Sequence, residues 1–402
     1  MISLEEGRYK EEVYAMWQRN FHDPVPYADF YFEEVYGKNK VLLNIQEESE
    51  ADEPIMMGML HLNPYTLRIK GDSVPAHYIV GVATDEEYRR QGVMRELLID
   101  SFQRLKKNGE AFTYLMPADE NYYLPFDFRF GSCQLEQEIE CFSNAISENH
   151  ETNYVFQTIE KGNLSEISRI ENEKKDNTFA VHTKITPEYL DRLEKETCSD
   201  FGKLLFVYRD GVYTGRFVVG AENDYMVVSQ VFCGAKEMRE EFLFQVLNYC
   251  EQEYHYGKYQ LILDESWLDV LKKPGNYRGV RVLPVRKRPI IMFRILNLEE
   301  MGNYFTASGD NHGFLRITDQ CFEELEGIYE WNISEEKCTI HKCEDGQPDP
   351  DCGEISIGDL TAFLFGNKKN ETLNEISGLT QKGRELLSEI HPLNLNCIQE
   401  IV

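Results

Sequence analysis

A short loop rich in arginine and glycine offers the clearest chemistry in this sequence. The apolar segment 77–83 predicts a buried strand, and the polar loop after it ends in Arg-Arg-Gln-Gly at 89–92. Apolar residues then recur at helical spacing over 93–105, and the Asn-Gly pair at 108–109 predicts the helix end. A helix start offers free N–H groups and a positive dipole end, and glycine lets a ligand approach the backbone. With two arginines beside it, this loop predicts a cradle for a pyrophosphate.

The elements around this loop predict a strand–helix–strand unit. An apolar segment at 112–116 follows the helix and predicts the second strand of the unit. Ligands of such units bind at the carboxyl ends of the parallel strands. The sequence contains neither G-x-x-x-x-G-K-[ST] nor G-x-G-x-x-G, which excludes the Walker loop and the Rossmann fingerprint.

Two motifs in this region resemble those of a known family. The stretch 89–94 resembles the acetyl-CoA motif [QR]-x-x-G-x-[GA] of the GNAT N-acetyltransferases, with Met94 in place of the last Gly or Ala. The segment 121–128 is similar to the aromatic Y-x-x-[FY]-G-[FY] segment of the Eis (enhanced intracellular survival) aminoglycoside acetyltransferases. The resemblance implies an acetyl-CoA-dependent enzyme in which an amine attacks the thioester directly, without a covalent enzyme intermediate.

The resemblance also implies which residues bind acetyl-CoA. The backbone of Val82 and Thr84 is expected to hydrogen-bond the pantetheine arm as an added strand, and 90–95 to surround the pyrophosphate. Ala118 stands where the family has a small polar residue, which removes one hydroxyl contact. The expected cofactor-binding set is Val82, Ala83, Thr84, Arg89, Arg90, Gln91, Gly92, Val93, Met94, Arg95, Ala118 and Asp119.

A tyrosine in the aromatic segment is the expected general acid. Acetyl transfer releases a coenzyme A thiolate, and a positioned phenol can protonate it. By the resemblance Tyr123 takes this role, whereas its neighbour Tyr122 is expected to be a packing residue. The family has Gly where Asp127 stands here, so the turn after the tyrosine is expected to differ in shape.

The end of the chain supplies a second catalytic candidate. In the resembling family the C-terminal carboxylate reaches into the active site on the acceptor side, which assigns that role here to Val402. The last residues, 396–402, alternate in polarity like a strand and predict a fixed terminus. An ordinary edge strand whose last atoms touch solvent is the alternative.

The rest of the chain predicts an α/β fold in three parts. Segments 225–232, 237–256 and 259–263 repeat the strand–helix–strand order, but with a short loop that lacks the Arg-Gly pair. The resemblance implies two tandem GNAT-like domains, at 1–145 and 146–288, and a sterol-carrier-protein-like domain at 289–402. We expect the second, degenerate GNAT-like domain to bind no coenzyme A.

Composition narrows the class of partner. The net charge of −28 argues against nucleic acid and suits a cationic substrate, although on charge by itself solubility is the preferred explanation. No apolar run approaches the ~18 residues of a membrane helix, and the N-terminus has no signal-peptide pattern, so a cytoplasmic protein without membrane contact is expected. The ten cysteines form no C-x-x-C pair and are expected to be reduced. The cluster Cys338, His341, Cys343 and Cys352 fits no zinc spacing, so no metal is expected.

These observations predict an N-acetyltransferase that moves acetyl to a cationic, multi-amine acceptor of the aminoglycoside type. Two alternatives remain open: a peptide or protein lysine acetyltransferase, and an apolar-ligand-binding protein with a regulatory coenzyme A site. The resemblance further implies a homo-hexamer.

Overall fold

A computed structural model describes residues 2–46, 54–141, 153–159, 163–272, 280–344, 349–366 and 373–400. The helices of these residues are α1 (Lys10–Phe21), α2 (Val25–Phe30), α3 (Val93–Lys107), α4 (Leu164–Asp176), α5 (Pro187–Ser199), α6 (Arg239–Tyr254), α7 (Leu268–Leu271), α8 (Leu298–Met301), α9 (Ile357–Phe365) and α10 (Gln381–Glu389). The strands are β1 (Ile2–Leu4), β2 (Lys40–Gln46), β3 (Ile55–Ile69), β4 (Asp72–Thr84), β5 (Phe112–Leu115), β6 (Arg129–Cys141), β7 (Tyr154–Gln157), β8 (Val181–Thr183), β9 (Lys203–Arg209), β10 (Val212–Glu222), β11 (Tyr225–Cys233), β12 (Lys258–Asp264), β13 (Val280–Val282), β14 (Arg286–Ile295), β15 (Thr306–Ala307), β16 (Asn311–Thr318), β17 (Gly327–Ile333), β18 (Thr339–Lys342), β19 (Glu354–Ser356), β20 (Ile390–His391) and β21 (Asn396–Cys397).

Local sequence signals explain the elements that carry the site. The predicted strands and helix of the first unit are confirmed as β4, α3 and β5. Helix α3 is amphipathic: it buries Leu97, Leu98, Phe102 and Leu105 against the sheet. Its last turn carries three basic residues, which complement the negative end of the helix dipole.

One continuous sheet joins the two strand–helix–strand units. Its strands run in the order β1-β2-β3-β4-β5-β14-β6-β12-β11-β10-β9-β7. The second unit is confirmed as β11, α6 and β12, with β11 parallel to β12. Strand β6 pairs with β14 on one side and with β12 on the other, so it links the sheets of the two units.

The last part of the chain forms a smaller mixed sheet. Strands β18-β17-β16-β19 lie in that order, and α9 and α10 accompany them. The side chain of Ser356 caps α9 by accepting from the N–H of Asp359. Phe365 of α9 stacks on Phe293 of β14 at 4.3 Å, so this part shares a hydrophobic core with the first unit.

Of the two predicted domain boundaries, one can be placed in the structure. The boundary between residues 145 and 146 lies outside the described residues. The boundary between 288 and 289 falls inside β14, which inserts between β5 and β6. Among the described residues, no helix is long and apolar enough to span a membrane.

Candidate functional site

The first unit leaves part of a strand edge open. Strands β4 and β5 pair at Tyr78 and Tyr114, where the two parallel strands are in register. Further along β4, Ala83 and Thr84 pair with β3 on the opposite side, and the described ladders give them no partner on the β5 side. The backbone of 82–84 is therefore available to an extended ligand that binds as an added strand.

Gly81 creates the irregularity at which β4 turns away. Its φ is +60°, a conformation that favours glycine, and the β3–β4 register shifts at this point. A Cβ atom at Gly81 would lie 2.7 Å from Cζ3 of Trp17 and 3.1 Å from Cδ2 of His61. The bulge thus needs glycine both for its backbone conformation and for the close approach of two aromatic rings.

The predicted anion cradle has the expected geometry at the start of α3. Gly92 caps the helix with φ +89°, Arg90 has φ +63°, and a Cβ atom at Gly92 would meet nothing within 4 Å. The side chains of Arg90 and Arg95 are exposed, and neither has a carboxylate within 4 Å among the described residues. Two uncompensated cations therefore flank the free N–H groups of the helix start.

Other predicted cradle residues stabilise the loop itself. Arg89 donates to the carbonyl of Thr84 at 3.4 Å and to Oδ1 of Asn20 at 3.3 Å, and Gln91 donates to the carbonyl of Glu87 at 2.8 Å. The side chain of Val93 is buried in the core, and Met94 packs against the same core. Val93 and Met94 thus offer only backbone atoms to a ligand.

The two candidate tyrosines occupy different environments. Tyr123 is 8% exposed and packs edge-on against Phe128, whereas Tyr122 is 59% exposed. Burial raises the pKa of Tyr123 to about 12, so the phenol holds its proton at neutral pH. Asp127 has φ +61°, the conformation that the expected glycine would favour. Ala118 and Asp119 are exposed in the loop before Tyr123.

The chain end brings a carboxylate that sequence reasoning missed. Val402 lies outside the described residues, but Glu400 is described and is only 4% exposed. Its Oε1 accepts from the hydroxyl of Tyr189 at 3.2 Å, and its Oε2 is buried without a partner. The signal that could have found it is a lone glutamate in an otherwise apolar alternating segment.

Three buried tyrosines, Tyr65, Tyr78 and Tyr114, pack together in the same region. The rings of Tyr65 and Tyr78 lie 6.2 Å apart, and those of Tyr78 and Tyr114 lie 5.2 Å apart. The pKa of Tyr78 is raised well above its usual value, first by burial, with Glu400 and Tyr123 both adding to the shift. The pKa of Tyr78 is thus raised both by Tyr123, the general-acid candidate, and by the buried Glu400.

A second carboxylate and one arginine complete this region. Arg192 donates to the hydroxyl of Tyr65 at 2.7 Å and lies over its ring. Burial raises the pKa of Glu196 to about 7, and Arg192 opposes the shift. A carboxyl group with such a pKa exchanges a proton near neutral pH, as a general base must.

The predicted absence of a metal was based on Cys338, His341, Cys343 and Cys352. In the structure Cys338 and Cys352 are buried, and His341 lies 3.7 Å from Glu299. Within the described residues, the one group of donor atoms close enough to hold an ion is Asp127, Asp319 and Cys321. Arg294 is buried beside it and contacts Asp319 at 2.5 Å, so a guanidinium supplies the positive charge there.

Comparison with known proteins identifies the fold. Residues 3–131 match the acetyltransferase (GNAT) domain family. A probable N-acyltransferase from Enterococcus faecalis is 16% identical, with a TM-score of 0.79 over 100% of this chain and 99% of that chain. A GCN5-related N-acetyltransferase from Anabaena variabilis is 13% identical, with a TM-score of 0.77 over the whole of both chains. Eis1 from Mycobacterium abscessus is 13% identical, with a TM-score of 0.69 over 99% of this chain and 98% of that chain. No curated protein matches the sequence.

These findings confirm the predicted fold class, an α/β structure with two GNAT-like units in tandem. GNAT domains use an acyl-CoA as donor, which agrees with an open strand edge beside an anion cradle. Residues 3–131 of the chain therefore form a GNAT acetyltransferase domain.

Proposed function

We propose that the chain transfers the acetyl group of acetyl-CoA to an amine of a cationic, multi-amine acceptor, as an Eis-type enzyme. On the donor side, Arg90 and Arg95 bind the pyrophosphate with the helix start, and the open backbone of 82–84 binds the pantetheine arm. These contacts direct the thioester between β4 and β5, towards Tyr123.

Acetyl transfer then needs one base and one acid. The neutral amine attacks the thioester carbonyl, and its proton passes to Glu196, whose raised pKa suits this task. As the carbon–sulfur bond breaks, Tyr123 donates its proton to the coenzyme A thiolate. Glu400 stabilises the positive charge on the acceptor from the other side of the tyrosine cluster.

The observation that carries the proposal is the acidic character of the acceptor side. Glu400 and Asp200 both raise the pKa of Glu196, and Glu196 and Asp23 both raise that of Tyr27. Asp23, Glu196, Asp200 and Glu400 thus supply negative charge to this side of the molecule, and the guanidinium of Arg192 opposes the shift at Glu196. Such a site favours an acceptor with several positive charges over a neutral one.

Release of coenzyme A thiol tests the proposal directly. Purified chain is incubated with acetyl-CoA and aminoglycosides, linear polyamines or basic peptides, and free thiol is measured against time. We expect release only when donor and amine are both present, fastest with a small polyvalent amine. Faster turnover of basic peptides would instead favour a lysine acetyltransferase, and no release with any amine would contradict the proposal.

A matched pair of variants tests the acceptor side. Glu400→Gln removes a buried charge and should lower turnover at least tenfold while acetyl-CoA still binds. Glu385→Gln makes the same change at an exposed position of α10 and should leave turnover unchanged. Equal activity of the two variants would remove Glu400 from the mechanism.

The role assigned to Val402 is tested by two chain-end variants. Deletion of residues 401–402 and a short C-terminal tag both move the terminal carboxylate, and the tag keeps every side chain. If that carboxylate acts on the acceptor, both variants lose activity and still bind acetyl-CoA. A fully active tagged enzyme would mean that the terminal carboxylate has no role and that Glu196 and Glu400 act on the acceptor without it.

The Eis-type assignment also carries proposals about assembly and the third part of the chain. It implies a homo-hexamer in the cytoplasm and a sterol-carrier-like fold for the last 114 residues, supported by a small mixed sheet with two helices. Sedimentation of the purified chain measures the assembly.

A further inference from the structure

The second unit repeats the cleft of the first in unexpected detail. Strands β11 and β12 are in register at 226–228, and β11 continues beyond this pairing to Cys233. Gln230 has φ +52° at a register shift, three residues before the strand end. Gly81 has φ +60° at a register shift, also three residues before the end of its strand. The second unit thus has a bulge at the same position, and β11 extends beyond its pairing with β12 as β4 extends beyond its pairing with β5 in the first unit.

The C-terminal segment lies in this second cleft. The amide Nε2 of Gln230 donates to the carbonyl of Gln399 at 2.6 Å. Residues 396–400 line a cavity of only ≈50 Å³ together with Ser229–Gln230 of β11 and Ile262–Asp264 of β12. A pantetheine arm would compete with the chain's own backbone here, so the slot is closed to coenzyme A.

Beyond the filled slot, where the first unit has its anion cradle, the second unit has a larger cavity. This cavity measures ≈550 Å³ and lies between the end of α4, the loop before α6 and the end of β12. Four basic residues line it: Lys174, Lys175, Lys236 and Arg239. They are concentrated at one place on a chain whose net charge is −28.

Two of these cations are buried and lack a carboxylate partner. Lys175 is 4% exposed, and its ammonium contacts Sγ of Cys397 at 3.8 Å, with no carboxylate within 4 Å among the described residues. Arg239 is 8% exposed; its Nη1 donates to Ser266, and its Nε is buried without a partner. Burying uncompensated positive charge is costly unless a ligand supplies negative charge.

The acidic residues of the cavity balance this charge only in part. Glu265 is paired with Lys287, and Asp269 is exposed. Asp264 accepts two hydrogen bonds from Ser266; burial raises its pKa, whereas these hydrogen bonds and the nearby charges of Arg239 and Lys175 lower it, so this one carboxyl faces both cations.

We propose that this cavity is a second ligand site, which binds a small phosphate-bearing anion through Lys175 and Arg239 and takes no pantetheine arm. The site is independent of acetyl transfer. Its volume admits a nucleoside monophosphate as well as inorganic pyrophosphate, and both share the phosphate chemistry that buried cations recognise.

Calorimetry with a blocked donor site tests the proposal. The Arg90→Glu variant, which disables the first cradle, is titrated with pyrophosphate and with adenosine monophosphate. We expect saturable binding of at least one ligand, weakened at least tenfold by adding Lys175→Met. Adding Lys258→Gln, which removes an exposed lysine of the same unit, should change nothing.

The two ligands distinguish the source of the phosphate: tighter binding of the monophosphate indicates a nucleotide, and tighter binding of pyrophosphate indicates a free anion. No saturable binding, or equal binding with and without Lys175, would overturn the proposal. If the Lys175 variant fails to fold, Arg239→Gln replaces it, since Arg239 is the other proposed ligand, and unchanged affinity in that variant would overturn the proposal equally.

Discussion

Replacing Tyr123 by phenylalanine removes only the hydroxyl group that we propose donates a proton to the coenzyme A thiolate. Among the described residues the Tyr123 hydroxyl has no hydrogen-bond partner, so its loss should cost under ~1 kcal/mol of stability and leave acetyl-CoA affinity within about twofold. A phenol with a pKa of about 12 is almost fully protonated at pH 8, so Tyr123 holds the proton that it donates, but transfer to a thiolate whose thiol has a usual pKa of ~8.5 is uphill by about 3.5 pKa units. Loss of a general acid lowers turnover by roughly 10²–10⁴-fold. Because a thiolate is already a fair leaving group, we expect the lower end, about 10²-fold.

The matched control is Tyr122→Phe, which removes the same atom from a side chain that is 59% exposed. Steady-state kcat and KM are measured for both variants by thiol release, and acetyl-CoA affinity by calorimetry. The control should retain turnover within about twofold. Equal kcat in the two variants, or a Tyr123 variant that loses acetyl-CoA binding and turnover together, would refute the acid role.

Three further predictions follow from the same geometry. Arg90→Glu should raise the acetyl-CoA dissociation constant at least tenfold in calorimetry, since a charge-assisted phosphate contact contributes roughly 1.5–3 kcal/mol; unchanged affinity would mean that the cradle is misassigned. Gly81→Ala should lower the free energy of unfolding by about 1–3 kcal/mol more than Gly37→Ala, because both have positive φ but only Gly81 has ring atoms against a new Cβ; equal losses in urea denaturation would refute the steric argument. Glu196 has its folded pKa raised to about 7, so the native state holds a proton that the unfolded chain has lost, and stability should fall as pH rises from about 4.5 through 7. Glu196→Gln should abolish this loss of stability with rising pH. The same variant should also abolish the decrease of kcat/KM below about pH 7, and a decrease that persists in the variant would mean that another group causes it.

The first unit was predictable because its signals are local. A buried strand, a helix start and a helix stop are each encoded within a few neighbouring residues, so the segments 77–83, 93–105 and 112–116 predicted the observed elements closely. The same holds for the repeat in the second unit, where the apolar periodicity changes from strand to helix and back. The cradle could be located for the same reason, because glycine and arginine occur together at a helix start.

The acceptor side could not be predicted from the sequence, because its residues meet only through long-range packing. Tyr65, Arg192, Glu196 and Glu400 come from three distant segments, and only the folded chain brings them together. Burial raises the pKa of Tyr65 and that of Glu196, and a residue's neighbours in sequence do not determine such burial. Tyr122 and Tyr123 are a second example. They are neighbours in the sequence, but only the fold exposes Tyr122 and buries Tyr123.

Sequence alone thus determined the α/β class, the repeated unit and the glycine-capped helix start at which we propose the donor cradle, since each depends on hydrophobic periodicity or on backbone conformation over a few residues. Tertiary structure decided that β14 inserts between β5 and β6, that the chain end closes the second cleft, and that Lys175 is buried beside Cys397. These features depend on which distant segments compete for the same strand edge or cavity. That competition is settled by the free energy of the whole packed chain, and no local pattern encodes it.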